Sequence, residues 1–383
     1  MGKHKHTRAT SVLARLIRPL AFSLLLTCGP APAYAAERPM VILDDDVGGI
    51  GGAPPALLQS PDVDVIGVTV VSGSTWRDGN VQQALRMMEV VGRPDIPVVP
   101  GSTFPLLNTE EMTRRWEGLY GRLYYKGAWT DQKWPEGTIQ SQPLYHAHDT
   151  LPPMRYGAPK IKAVDEIAAV FLVRKVRENP GKISIIATGP LTNIALAQSL
   201  DPSFATNVKQ IIYMGGSLNP TQKIATKNAE QFAAEYMNSP RREFNIRWDP
   251  EAARIVARAP WKKIVMVPVD PSTGTETSRA VLERVRGTKT ELAQIVASNE
   301  AGFPMWDEIA VGYLLDPSIV TEARDLYIDF ETSMTAGYGD TLSWPEGYQP
   351  GLGERKETVV LEVDHKKLEN LLVKLWTLPP AGK

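Results

Sequence analysis

Ile42-Leu43-Asp44-Asp45-Asp46-Val47-Gly48-Gly49-Ile50-Gly51-Gly52-Ala53 is the stretch on which the reading of this chain turns. The apolar run Met40–Leu43 ends abruptly in acids and glycines, the pattern of a buried strand entering a loop. In parallel sheets, ligands bind outside the carboxyl ends of strands, where such loops lie. Three adjacent carboxylates repel one another unless a cation or hydrogen-bond donors compensate them. An oxygen-only donor set suits a hard cation such as calcium or magnesium. The glycines miss the G-x-G-x-x-G spacing, and the carboxylates would repel a phosphate, so a dinucleotide site is excluded. Standing alone, the stretch is also compatible with a solvated acidic turn.

Outward from this loop the pattern alternates. Val63–Val71, Ile96–Val99, Ile183–Ala187, Ile211–Met214 and Ile264–Pro268 read as strands. Gly79–Val91, Ala163–Val176, Asn193–Leu200, Pro250–Ala257 and Asp307–Leu315 read as helices between or after them. Leu326–Phe330 and Thr358–Val363 read as late, irregular strands, and Lys366–Leu375 as a closing helix. The expected fold is α/β: an open, mostly parallel central sheet, Rossmann-like, flanked by helices on both faces. An aromatic-rich insert around 105–159 breaks the alternation, with Trp116, Tyr120, Tyr124, Tyr125, Trp129, Trp134, Tyr145 and Tyr156. Such a segment either walls a pocket or packs on its own rings.

The 383 residues carry a formal net charge of −1, which disfavours a nucleic-acid polymer as partner. Lys3, Lys5, Arg8, Arg15 and Arg18 crowd a start without acids, followed by the apolar run Leu20–Thr27 and by Ala33-Tyr34-Ala35. This reads as a signal peptide over residues 1–35, cut after Ala35, ahead of a single domain at 36–383. The run is too short for a membrane span. Lipoprotein anchoring through Cys28, the only cysteine, is disfavoured because Thr27 is a poor residue before the cut. The expectation is a protein exported to the periplasm or secreted, with no thiol and no membrane contact after cleavage. Without residues 1–36, 37 basic residues face 43 acidic ones, a net charge of −6.

Further strand-end motifs follow: Ala187-Thr188-Gly189-Pro190-Leu191-Thr192-Asn193, then Met214-Gly215-Gly216, Glu243-Phe244-Asn245 through Asp249-Pro250-Glu251-Ala252-Ala253, and Pro304-Met305-Trp306-Asp307-Glu308. Taken in order with the acidic loop, they resemble the inosine–uridine-preferring nucleoside hydrolase family, over Met40 to Leu375. The resemblance implies an open α/β fold, one calcium ion at the bottom of a pocket, and hydrolysis of the N-glycosidic bond of a ribonucleoside or related ribosyl compound by metal-activated water. It implies a small-molecule substrate and homo-oligomers. It makes Asp46 both a metal ligand and the group that activates water. The Thr188 main-chain carbonyl and Asp307 are further metal ligands, with Asp44 and Asp45 behind them. Glu243, Asn245 and Asn238 would hold ribose hydroxyls, Met214 would line the pocket beneath the sugar, and Trp306 would either stack on the base or simply pack.

The chain also departs from the family. Aligning Ala53 with the alanine that closes the acidic motif places Gly51 and Gly52 where the family carries two aspartates, one for ribose and one for calcium. Trp306 stands where one subgroup has a leaving-group histidine. His146, His148 and His365 are the only histidines after the leader, and none falls in a family motif. His146 and His148 read as solvated loop residues. Trp76 is either a stacking or a packing residue. The alternative implied by the two glycines is a secreted nucleoside- or ribose-binding protein with impaired catalysis.

Overall fold

Strand β1 (Met40–Asp45) sits inside a nine-stranded sheet. The computed structural model describes residues 38–132 and 145–381. The expected signal peptide, Cys28 and Trp134 therefore lie outside the described residues. Arg38–Lys383 forms one compact unit.

The other strands are β2 (Asp64–Val70), β3 (Val98–Pro100), β4 (Ile183–Ala187), β5 (Gln210–Met214), β6 (Ile264–Val267), β7 (Val320–Phe330), β8 (Thr341–Trp344) and β9 (Arg355–Val363). Their order is β3-β2-β1-β4-β5-β6-β9-β7-β8. All pairs from β3 to β9 are parallel, and β7 pairs antiparallel with both β9 and β8. The expected open, mostly parallel sheet flanked by helices is the observed one.

Alternation along β1 divides the core. Val41 and Leu43 point into one apolar layer, with helices Arg77–Val91, Asp307–Leu315 and His365–Trp376. Ile42 points into the other, with helices Ala168–Glu178, Thr192–Leu200 and Pro250–Arg258. Both faces are covered, so the parallel strands carry near-continuous apolar runs.

Several boundaries differ from the sequence reading; β7 begins at Val320 rather than Leu326 and β9 at Arg355 rather than Thr358. The helix expected from Ala163 begins at Ala168, because the Val164 N–H donates instead to the Val98 carbonyl beside β3 (3.0 Å). Strand β8 was not anticipated; at four residues the alternation of Leu342 and Trp344 is too short to mark a strand. After the acidic loop, Ala53–Gln59 is a short helix with prolines in its first turn, where their missing N–H groups cost nothing. Among the described residues, no helix is long and apolar enough to cross a membrane.

Candidate active site

The acidic loop is held from three sides. Asp44 is fully buried and looks away from solvent. Its Oδ1 accepts from Asn193 Nδ2 (2.8 Å) and from the Thr69 hydroxyl, and its carbonyl accepts the Thr188 N–H (2.9 Å). Burial, partly offset by those donors, pushes its carboxyl up to about 7. Asp44 thus ties β1 to the Thr188 turn. Asp45 Oδ1 accepts from the Thr188 hydroxyl (2.9 Å), while its Oδ2 is buried without a partner.

Asp46 is anchored through Ser74, whose N–H donates to Oδ2 and whose hydroxyl donates to the Asp46 carbonyl (2.7 Å). Gly73 makes this fit possible, because a Cβ there would stand 2.2 Å from Asp46 Oδ2. Asp46 lines a cavity of about 390 Å³.

The strand-end side of that cavity is lined by Asp45, Asp46, Thr188, Met214, Glu243 and Asn245. Asn245 Nδ2 donates to the carbonyls of Thr188 and Met214 (3.1 Å each), which fixes the amide orientation and turns Oδ1 away from both. Glu243 caps the short helix Phe244–Trp248. Its oxygens accept the N–H groups of Asn245 (2.8 Å), Gly216 (3.0 Å) and Ile246 (3.2 Å). Burial outweighs these donors and raises its carboxyl to about 7. Asp307 opens the helix Asp307–Leu315 and lines the same cavity. Burial, and then the charges of Asp45, Glu308 and Asp46, push its carboxyl far above the usual range. The two distant acids of the sequence, Asp46 and Asp307, therefore meet in one electrostatic environment. Asp45 and Asp46 are shifted upward as well, by burial first.

Among the described residues, no Lys or Arg forms an ion pair with Asp45, Asp46, Asp307 or Glu308. Buried carboxylates without a cationic partner fit a divalent ion in their donor chemistry, as do the Thr188 carbonyl and the orphaned Asp45 Oδ2. The described side chains are not already drawn into a tight ligand cage, since no three acidic or imidazole groups stand at metal-ligating spacing.

The opposite wall is aromatic, with Tyr124, Tyr125, Tyr156, Phe232, Phe303 and Trp306. The 105–159 insert thus serves in both expected ways. Tyr124, Tyr125 and Tyr156 line the cavity, whereas Trp116 and Trp129 pack inward, the latter stacked on Trp248 at 4.1 Å. Trp76 is a packing residue: it is buried against Trp248 and donates its indole N–H to the His146 carbonyl (2.8 Å). His148 rests edge-on against Trp76 and Phe104, away from the acids. Trp306 meets Phe232 edge-to-face at 5.2 Å. Asn238 ends the helix Lys227–Asn238, and its side chain lies outside the described residues.

A family model described as inosine-uridine preferring nucleoside hydrolase matches residues 41–370. The chain belongs to the nucleoside hydrolase family. A probable uridine nucleosidase of Oryza sativa subsp. japonica is 37% identical over 222 residues, 57% of this chain and 55% of that protein. The chain thus spans about half the length of that relative. A pyrimidine-specific ribonucleoside hydrolase of Shewanella woodyi is 26% identical over 87% of this chain and 96% of its own. Among solved structures, a plant nucleoside hydrolase superposes with a TM-score of 0.66 at 25% identity, covering 89% of this chain and 99% of that one.

Two cavity acids escaped the sequence reading. Glu235, in the helix Lys227–Asn238, is raised to about 8 by burial and by the charge of Glu243. Glu308 follows Asp307 and is raised to about 7 by burial. Acids in a first helical turn or on a helix face ordinarily signal dipole pairing or solvation, so neither position carried a distinctive sequence signal.

Proposed function

We propose that this nucleoside hydrolase family member cleaves the N-glycosidic bond of a ribonucleoside, or a related ribosyl compound, with water as the acceptor. The observation that carries the reading is the convergence of Asp45, Asp46 and Asp307 opposite Asn245 and Met214, under an aromatic wall. Asp46, the Thr188 carbonyl and Asp307 are the groups that would hold a divalent cation, calcium being the family's implied ion. Such an ion lowers the pKa of nearby water.

The chain's own residues supply the rest. Asp46, with Oδ2 fixed by Ser74, accepts the proton of the attacking water. Asn245 presents Oδ1 to a ribose hydroxyl, because its amide nitrogen is already engaged by two carbonyls. Glu243, held by three main-chain donors, adds negative charge beside the sugar. Carboxylates around the ring stabilise the positive charge that develops as the base departs. Trp306 and the neighbouring rings enclose the base. Glu235 is the protonated carboxyl on that side and serves as the donor to the leaving base; Arg242, Glu243, Tyr124 and Tyr236 are charged or titratable groups around it.

We also propose export, on the basic start, apolar run and Ala33-Tyr34-Ala35. Cell fractionation with sequencing of the mature amino terminus checks it. The function is tested by incubating the purified full chain with purine and pyrimidine nucleosides and measuring free base and reducing sugar. Stoichiometric release of both supports hydrolysis. Saturable nucleoside binding with no release over hours would replace it with the binding-protein reading that Gly51 and Gly52 suggest.

A further inference from the structure

The Glu308 carboxylate fills the space beside Gly52. Gly52 precedes the helix Ala53–Gln59 at φ 69 and ψ −141, a conformation that side-chain-bearing residues avoid. A Cβ built on it would stand 2.7 Å from Glu308 Oε1. The Trp376 indole N–H donates to the Gly52 carbonyl (2.8 Å) and so locks the loop in this form. A side chain at residue 52 would have to push the Glu308 carboxylate out of its present place.

Glu308 is 9% exposed and lines the cavity beside Asp307. Among the described residues, its own main-chain N–H is the one donor that stabilises its charge. A buried carboxylate without another residue as partner is costly unless something external compensates it. Independently, the neighbouring Asp45 Oδ2 is buried and unpartnered. Asp45 and Glu308, from opposite ends of the chain, thus line one cavity, and both interact electrostatically with Asp307.

We propose that Glu308 is a divalent-cation ligand. It delivers, from the helix Asp307–Leu315, the carboxylate that other family members place on the loop at the position of Gly52. The glycine is the space that admits it. The carboxylate count is then preserved while its covalent origin moves by about 256 residues along the chain. The long Glu side chain allows Asp307 and Glu308 to reach one ion, although consecutive helical residues diverge by roughly 100°. The N-terminal end of that helix also favours the paired negative charge.

This assignment rests on the metal-assisted reading above, and its test separates the two. Calcium is titrated calorimetrically into the full chain, the Glu308→Gln variant and the Glu308→Asp variant, each checked for folding by circular dichroism. Wild type is expected to bind one ion. Glu308→Gln should weaken binding by about tenfold or more, with Glu308→Asp in between. If Glu308→Gln does not fold, the wild-type and Glu308→Asp affinities carry the comparison. Equal affinity in wild type and whichever variants fold, or absence of calcium binding by wild type, overturns the assignment. Nucleoside turnover persisting in chelator without calcium binding sinks Glu308 as a ligand and leaves the hydrolase reading standing. Calcium binding that depends on Glu308, without any turnover, does the reverse.

Discussion

Two buried acidic sites at different places along the sheet are treated in opposite ways. Asp329 on β7 is 2% exposed, and two arginines one turn apart clasp it: Arg258 at 2.6 Å and Arg254 at 3.3 Å. At the end of β1, Asp45 and Asp46 meet Asp307 and Glu308 with no such clasp among the described residues. The chain therefore neutralises a buried acid with its own cations where the acid holds structure together. It gives Asp45, Asp46, Asp307 and Glu308 no such cation among the described residues, a cost in stability that is reasonable where an external charge belongs. Asp44 Oδ1 takes two side-chain donors and Asp45 Oδ1 one, while Oδ2 of each is buried without a partner.

The sharpest way to break this contrast is Asp46→Asn. It should lower nucleoside turnover by about 10³-fold or more, measured as base release, while the melting temperature stays within a few degrees. A variant with near-normal turnover would remove Asp46 from the chemistry. Next in size is Glu235→Gln, expected to cut kcat/KM about 100-fold for nucleosides but little for a riboside with an activated phenolate leaving group. Because Glu235 keeps its proton up to about pH 8, wild-type activity should decline above that pH. The variant should lack this alkaline limb; a limb that persists unchanged assigns the proton elsewhere.

At the clasped site the expected signature is stability alone. Asp329→Ala should cost about 1–3 kcal/mol in urea denaturation, since it leaves two partly exposed arginines without their partner. Its turnover should equal that of wild type, and lost activity at full folding would contradict the division between the two sites. The smallest effect is expected from Asp45→Asn. In chelator above about pH 8, where Asp45 is ionised, removing this repelling charge should raise stability by up to about 1 kcal/mol, and added calcium should shift this variant's melting point less than that of wild type. Destabilisation in chelator would mean that Asp45 is already compensated by the protein.

Much of the architecture was legible because parallel strands buried on both faces leave nearly uninterrupted apolar runs. β1, β2, β4, β5 and β6 all read this way. β8 did not, because Thr341–Trp344 is short and lies on the antiparallel edge of the sheet. The Ala168 helix start was hidden by the Val164 contact to β3, a tertiary preference overriding a local one. Asp46, Thr188, Asn245 and Asp307 stood out because each sits in a motif at a strand end or helix start. Glu235 and Glu308 did not, since acids in helices ordinarily face water. Trp76 and Trp306 looked alike in sequence, yet one packs under the insert and the other lines the cavity.

By itself, the order of apolar runs and strand-end motifs determined the sheet, the family and the location of the acidic loop, because burial periodicity and short motifs are local properties of the chain. Only the tertiary structure decided which acids share the cavity, which are already satisfied, and that Gly52 leaves room for Glu308. Electrostatic compensation depends on distances between segments hundreds of residues apart, and no local pattern encodes them.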